Sequence, residues 1–441
     1  MIEPRILERV QSHVRDYART AGSSIFTRAQ GSMLADACGR QYIDFSSAAG
    51  ALNYGHDNPL LMQMLRRQLR EQRSSADPVR ALDNFRDAIT SYLLRPRGWE
   101  YKIQHTGTTA AASVEAALKV ARRATGRRNV VSFTCCDHVA RRGFSMREPG
   151  EPGRRADPVM DDGQGHGDAE FKPPAVWAAS TGVGNTYFMP YDGSFGPDVD
   201  TMAYLERQLD TQWRHSETPA AVVVETVLGE GAIDVLSWRW LRDLDTLCRR
   251  HGMLLIMDET IVGCGRTGRF FSFEASGVRA DMIALSRSLS GFGLPVSLLL
   301  SRPDLPVVQY QSAIPDENAG LALLTAAQVL EAYWADDSFA VHVRRKERLV
   351  RDWLENLAQG YAHLGLGVRG RGLIQGLVTP APLGLATEIA SKALASGLVT
   401  LTTGMHDEVL KILPALTIDE DLLVQGLGIL DRSVTDVLAN R

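Results

Sequence analysis

The feature that most constrains the fold is an alternation of short apolar runs with amphipathic helical segments from about residue 100 onward. The runs 221–225, 253–258 and 282–285 are almost wholly apolar, which is typical of strands that are buried on both faces. Between and before them, Ala110–Arg123 and Leu241–Arg250 carry apolar residues at helical spacing and are followed by a glycine. Strands that alternate with helices predict an α/β fold with a mostly parallel sheet covered by helices on both faces.

The two ends of the chain show a different pattern. Residues 1–22 have the apolar spacing of an amphipathic helix, and residues 31–44 alternate apolar and polar residues between glycines, which predicts a small hairpin. The last hundred or so residues alternate helix and strand again. We therefore predict a large α/β domain over residues 60–320 and a small α+β domain built from residues 1–59 and 321–441.

Composition and charge exclude two classes of partner. The net charge is −4, from 48 Lys and Arg against 52 Asp and Glu, which gives no electrostatic basis for binding nucleic acid or an anionic membrane.

The five cysteines are odd in number and form no Cys-x-x-Cys pair, so we expect free thiols in a reducing cytoplasm. The N-terminal residues lack the apolar core of a signal peptide and no apolar run is long enough to span a bilayer, so a cytoplasmic protein is predicted.

The segment 281–295 (DMIALSRSLSGFGLP) resembles the strand and Gly-rich turn that carry the cofactor lysine in the class III aminotransferases. Further motifs of that family occur at residues 52–59, 188–193, 224–231 and 263–268. Together they cover nearly the whole chain and are most similar to the diaminobutyrate–2-oxoglutarate branch of the family. The resemblance implies pyridoxal phosphate (PLP) fold type I and a dimer in which both subunits build each active site.

The resemblance places two parts of a PLP site on this chain. Phosphate groups bind backbone N–H groups at helix N-termini, and the turn of Thr106, Gly107 and Thr108 comes directly before a predicted helix. Asp258 ends a buried strand and matches the family carboxylate that keeps the pyridine nitrogen of PLP protonated. Both positions therefore keep residue types that suit the cofactor.

Four other positions depart from the family pattern. Arg287 stands where the family has the lysine that forms a Schiff base with PLP, and a guanidinium stays protonated and is a poor nucleophile. Asp137 replaces the aromatic residue that stacks on the ring. Ile261 replaces a glutamine that hydrogen-bonds the ring hydroxyl, and Pro315 replaces a threonine that reaches the phosphate across the dimer. The departures cluster on one ligand, which indicates redirected selection on the cofactor site.

These departures predict an enzyme that binds no cofactor, or binds PLP only noncovalently, and reuses the old pocket for an amino-acid-derived substrate of a biosynthetic pathway. The predicted catalytic groups are Arg287, Asp258, Asp137, His138 and Glu225. Two alternatives stay open: a non-catalytic pseudoenzyme that partners an active aminotransferase paralogue, and a PLP-binding aminotransferase with residual activity. A homodimer or larger assembly is expected from the resemblance.

The charged residues near the old cofactor site have competing interpretations. Arg287 either binds a phosphate or carboxylate ligand through two parallel hydrogen bonds or forms a salt bridge to Asp258. Glu230 is expected to pair with Lys411, as the gate glutamate of the family pairs with a basic residue at that place.

Two further sets of polar residues are candidate functional groups. Asp137 and His138 are either an acid–base pair or two loop neighbours that point in different directions. The acidic residues within 161–170 match no known metal-ligand spacing, so we predict a solvated loop and no metal site.

Overall fold

The computed structural model describes residues 26–71, 78–133, 177–180, 185–196, 198–211, 213, 218–308, 319–380, 383–404 and 406–439. The strands are β1 (Phe26–Gln30), β2 (Met33–Asp36), β3 (Gln41–Asp44), β4 (Lys102–Gly107), β5 (Val130–Ser132), β6 (Trp177–Ser180), β7 (Asn185–Phe188), β8 (Ala221–Val224), β9 (Leu254–Asp258), β10 (Met282–Leu285), β11 (Ser297–Ser301), β12 (Gly367–Arg371), β13 (Ile374–Val378), β14 (Leu398–Val399), β15 (Leu401–Thr403) and β16 (Val409–Ile412). The helices are α1 (Pro59–Glu71), α2 (Pro78–Ala88), α3 (Ala110–Thr125), α4 (Thr201–Thr211), α5 (Trp238–His251), α6 (Ala319–Trp334), α7 (Ser338–Gly360), α8 (Leu385–Ala395) and α9 (Glu420–Leu438).

The largest sheet has eight strands in the order β4-β11-β10-β9-β8-β5-β7-β6. Among the described strands of this sheet, β11 and β6 run antiparallel to their neighbours and the other six share one direction. The strands β8, β9 and β10 are buried at every position, as expected for strands covered on both faces. The predicted mostly parallel sheet is confirmed, and the carboxyl ends of six strands lie along one edge.

The helices predicted beside this sheet are present, each a few residues longer than expected. Thr109 and Ser237 cap the N-termini of α3 and α5 through their side-chain oxygens. Gly126 and Gly252 end the same helices in left-handed conformations, with φ of +70° and +63°, which glycine adopts without a steric penalty. Among the helices in the described ranges, none combines the length and apolar composition needed to cross a membrane.

Two four-stranded sheets form the rest of the structure. One has the order β1-β2-β3-β14 and contains the predicted hairpin as β2 and β3, and the other has the order β12-β13-β16-β15. Together with α7, α8 and α9 they enclose a second apolar core, separate from the core of the large sheet. The division into residues 60–320 and the two flanking segments stays a prediction, and its second boundary falls near the start of α6.

Candidate active site

Several predicted site residues meet at the carboxyl edge of the large sheet. Asp258 is the last residue of β9 and lies in register with Ala284 of β10. Gly107 is the last residue of β4 and lies opposite Ser297 of β11, the strand between β4 and β10. Arg287 begins the short helical turn that follows β10. Open α/β sheets bind their ligands outside the carboxyl ends of the strands, so this edge is the candidate active site.

The turn between β4 and α3 presents backbone donors at this edge. Thr106 is buried, and its Oγ1 lies 2.8 Å from Oγ of Ser297, which fastens the turn to β11. Gly107 has a φ of +119°, a conformation that residues with a side chain rarely adopt. Thr108 is exposed in the turn, and Thr109 caps α3. Because α3 is 16 residues long, its N-terminus offers unpaired N–H donors and a positive dipole end that suit a phosphate.

Asp258 is held rigidly at the end of β9. Its side chain is buried, and Oδ1 accepts hydrogen bonds from the backbone N of Thr260 at 3.0 Å and from Oγ1 of Thr260 at 2.6 Å. These two bonds fix the orientation of the carboxylate. A fixed and buried carboxylate at the sheet edge suits a cationic ring nitrogen, as the sequence predicted for this residue.

Glu259 is a buried acid next to Asp258 that was not predicted as a site residue. Its carboxylate accepts a hydrogen bond from the backbone N of Ser272 at 2.8 Å and contacts Oγ of Ser272, which in turn accepts from Thr226. Burial raises the pKa of Glu259 to about 8, and the hydrogen bonds from Ser272 offset only part of that effect. A neutral Glu259 avoids placing a second charge beside Asp258.

We expect Glu259 to make the protein less stable as the pH rises. The folded state keeps a proton on this carboxyl up to a pKa of about 8, whereas the unfolded chain releases it near 4.5. Its stabilising contribution is therefore complete below 4.5 and is lost as the pH rises through 8. Glu259→Gln keeps a neutral polar group, so the stability of this variant should depend less on pH between 4.5 and 8. The measurement is the midpoint of urea denaturation across that range, and parallel profiles for the two proteins would contradict the expectation.

Arg287 takes a partner that the sequence did not indicate. Its Nη2 donates to Oε1 of Glu230 at 2.7 Å, and the two side chains are 22% and 33% exposed. The structure shows an ion pair between Arg287 and Glu230. The two alternatives drawn from the sequence, a bound anionic ligand or a salt bridge to Asp258, stay predictions. Arg287 also has a φ of +51°, a left-handed conformation that costs a residue with a side chain about 1–2 kcal/mol.

Lys411 contacts the loop that carries Glu230. Nζ of this buried lysine donates to the carbonyl oxygen of Gly229. Its expected pairing with the Glu230 carboxylate stays a prediction. The carboxylate of Glu230 is paired with Arg287. Lys411 therefore holds the backbone beside Glu230.

Two more residues support the loop that carries Glu230. Glu225 is buried directly after β8, and its Oε2 accepts a hydrogen bond from the backbone N of Gly229 at 3.3 Å. Thr403 donates from Oγ1 to the carbonyl oxygen of Gly231 at 2.9 Å. Glu225 was predicted to be catalytic, and the structure gives it a supporting contact within this loop. Any contact with a substrate stays a prediction.

Ile261 packs against the same loop. It is buried in an apolar cluster that includes Ile233 and Val262. A Cβ atom at Gly229 would lie only 2.6 Å from Cγ2 of Ile261, so the isoleucine fits against a residue that has no side chain. The residue that stands in the place of the family's glutamine therefore supports the loop through apolar contacts.

Some predicted site residues lie outside the described part of the chain. They are Asp137, His138 and Pro315, together with the acidic residues within 161–170. The acid–base pairing of Asp137 with His138 and the lack of a metal site therefore stay predictions.

Comparison with known proteins identifies the family. The family model described as aminotransferase class-III matches residues 17–142 and 178–434. The chain belongs to the class III aminotransferases. This class III aminotransferase is 49% identical to a diaminobutyrate–2-oxoglutarate transaminase of Bordetella parapertussis, over 99% of this chain and 96% of that protein. It is 39% identical to a diaminobutyrate–2-oxoglutarate transaminase of Halomonas elongata, over 98% of this chain and 99% of that protein.

Solved structures of other aminotransferases share the fold of this class III aminotransferase. The N-acetylornithine aminotransferase of Stenotrophomonas maltophilia K279a matches with a TM-score of 0.68 at 22% identity, covering 97% of this chain and 100% of that one. The ornithine aminotransferase of Toxoplasma gondii ME49 matches with a TM-score of 0.70 at 20% identity, covering 98% of this chain and 96% of that one. The predicted PLP fold type I is confirmed.

Family membership overturns two expectations drawn from the sequence. The sequence predicted an enzyme that reuses the pocket for PLP-independent chemistry, and it also predicted that no cofactor is needed. Both predictions are wrong. Class III aminotransferases depend on PLP, and this one matches transaminases over nearly its whole length. The physical reason lies in how the substitutions are accommodated. Arg287 and Ile261 are accommodated by contacts with Glu230 and Gly229, while Asp258 remains at the sheet edge.

Proposed function

We propose that this class III aminotransferase transfers an amino group from L-2,4-diaminobutyrate to 2-oxoglutarate, using PLP that it holds by noncovalent contacts. The observation that carries the proposal is the 49% identity, over 99% of the chain, to a diaminobutyrate–2-oxoglutarate transaminase. The retained turn at Thr106, Gly107 and Thr108 and the retained Asp258 support it. The arginine at position 287 provides no amine, so slow turnover is part of the proposal.

The residues at the sheet edge fit PLP without a covalent bond. The first N–H groups of α3, beside the exposed Thr108, suit the phosphate, and the fixed carboxylate of Asp258 suits the ring nitrogen. When bound, PLP supplies the carbonyl group that exchanges for the donor's amino group and a ring that accepts electron density.

The chain's own residues orient these groups and hold one proton. Asp258 holds the proton on the ring nitrogen, and Thr260 keeps the Asp258 carboxylate in position. A guanidinium has N–H donors and no acceptor, so Arg287 cannot move a proton between substrate carbons as a lysine amine can. Proton transfer then depends on water or on another group, which accounts for the slow turnover that we propose.

The test is glutamate formation from L-2,4-diaminobutyrate and 2-oxoglutarate in the presence of added PLP. We expect slow, PLP-dependent turnover that Asp258→Asn reduces by about 10²-fold, because a neutral amide cannot hold the ring proton. The substitution keeps an oxygen that accepts from Thr260, so folding should be unaffected. Glutamate formation no faster than that of the Asp258→Asn variant would contradict the proposal.

We also propose that the protein forms a homodimer, as predicted from the family resemblance, and that it lies in the cytoplasm. Sedimentation of the purified protein tests the first of them.

A further inference from the structure

A groove with a volume of about 590 Å³ runs between α7 and α9. Both helices cover the second apolar core, and the residues that line the groove come from these helices and from Tyr361, which follows α7. Among these described lining residues, none belongs to the sheet edge that carries Asp258. The candidate active site therefore does not account for this groove.

The groove has an apolar floor and one bridged end. Leu357 is buried and Trp353 is half-buried, so the floor presents an aliphatic side chain beside an indole ring. At the C-terminal end of α7, the hydroxyl of Tyr361 donates to Oγ1 of Thr435 on α9 at 3.1 Å, and this hydrogen bond joins the two sides. A Cβ atom at Gly360 would meet no other atom within 4 Å, so open space remains beside that bridge.

Carboxylates stand on the two sides of the groove. Asp352 is exposed on α7, and Asp431 is half-buried on α9. Within the described part of the chain, neither carboxylate takes part in an ion pair, whereas Lys392 of α8 pairs with Asp436 of α9 at 3.1 Å. The two groove carboxylates are therefore available to a cation that comes from solvent.

An aromatic floor between two carboxylates suits a ligand that is apolar in the middle and positive at both ends. Cations are attracted to the face of an indole ring and to carboxylates, and both attractions strengthen where part of the water is excluded. Packed helices lie about 8–10 Å apart, axis to axis, so a short alkyl chain can reach from one carboxylate to the other. An anion would meet two like charges in the same place.

We propose that this groove binds a small aliphatic diamine in its doubly protonated form. One ammonium group pairs with Asp352 and the other with Asp431, while the alkyl chain lies over Trp353 and Leu357. The site is distinct from the sheet edge and does not rest on the proposed function. Exposed ion pairs each contribute little, so binding in the millimolar range is expected, and added salt should weaken it further.

The test is calorimetric titration of the full chain with 1,4-diaminobutane at low ionic strength, without PLP, whose aldehyde would react with the amine. We expect Asp352→Asn and Asp431→Asn each to weaken binding about twofold to fivefold, and the double variant about tenfold or more. Trp353→Leu should weaken binding about twofold to fivefold, because leucine keeps the floor apolar but offers no ring face. Butylamine, with one ammonium group, should bind more weakly than the diamine.

The matched control is Asp436→Asn, which removes a carboxylate from the same helix outside the groove. Asp436 is 55% exposed and is paired with Lys392, so the net charge changes as it does in Asp431→Asn while the lining of the groove is kept. The affinity of this variant for 1,4-diaminobutane should stay within about twofold of the wild-type value. Far-ultraviolet circular dichroism checks that every variant is folded.

Three outcomes would overturn the inference. The first is a wild-type dissociation constant above about 10 mM. The second is unchanged affinity in the folded double variant of Asp352 and Asp431. The third is an equal loss of affinity in Asp436→Asn, which would show a general attraction to the acidic surface. Glutamate formation by the same variants is expected to stay at the wild-type rate, so the groove and the proposed transamination can fail separately.

Discussion

The Arg287→Lys variant is expected to form glutamate from L-2,4-diaminobutyrate and 2-oxoglutarate about 10²–10⁴ times faster than the wild-type protein, the usual contribution of a positioned acid–base group. A lysine amine can lose its proton and act as nucleophile and base, which a guanidinium cannot do. The position adjoins β10 at the same sheet edge as Asp258, so the amine would enter the edge that keeps the buried carboxylate.

The steady-state constants separate this effect from a general change in the site. Because the added amine acts in the chemical step, kcat should rise by a larger factor than any change in KM for 2-oxoglutarate. Arg287→Gln is the matched control, since it removes the guanidinium without supplying an amine, and its kcat should stay at the wild-type level. Equal kcat values for wild type and Arg287→Lys would show that the amine is not the limiting group.

The Arg266→Met variant is expected to lose about 3–5 kcal/mol of stability, the usual cost when one partner of a buried charged network is removed. Arg266 is fully buried, and burial lowers its pKa to about 9. Its guanidinium donates to Oδ1 of Asn53 at 3.1 Å and to the carbonyl oxygens of Leu373 at 2.9 Å and Pro414 at 2.6 Å. Methionine would leave those three buried acceptors without their donor.

The measurement is the urea midpoint of the variant beside that of Arg369→Met. Arg369 is 42% exposed and makes an ion pair with Asp234, so its loss should cost no more than about 1 kcal/mol. If the two variants unfold at similar urea concentrations, Arg266 does not link Asn53, Leu373 and Pro414 in the way the structure indicates.

Local patterns in the sequence were enough to predict the scaffold of the site. Apolar runs and helix-ending glycines located β9, β10, α3 and α5, and the position of Asp258 at the end of an apolar run placed it at the sheet edge. These features depend on neighbouring residues along the chain, which is why a single sequence carries them.

The partners of the charged residues could not be predicted in the same way. Glu230 and Arg287 are separated by 57 positions, and their pairing depends on how two loops pack after the sheet has formed. The left-handed backbone of Arg287 and the apolar support of Gly229 by Ile261 likewise follow from tertiary packing. The prediction of a PLP-independent enzyme was wrong for the same reason. It interpreted the residues at positions 287 and 261 without the contacts that accommodate them.

The position of β11 has a consequence for the order in which the site is completed during synthesis. Thr106 meets Ser297 only after 191 further residues have been made, and β11 must then insert between β4 and β10. A nascent chain that stops before β11 would lack the Ser297 contact that fastens the turn of Thr106 to the sheet. We therefore expect the turn that suits the phosphate to be completed late in folding, after most of the chain has left the ribosome.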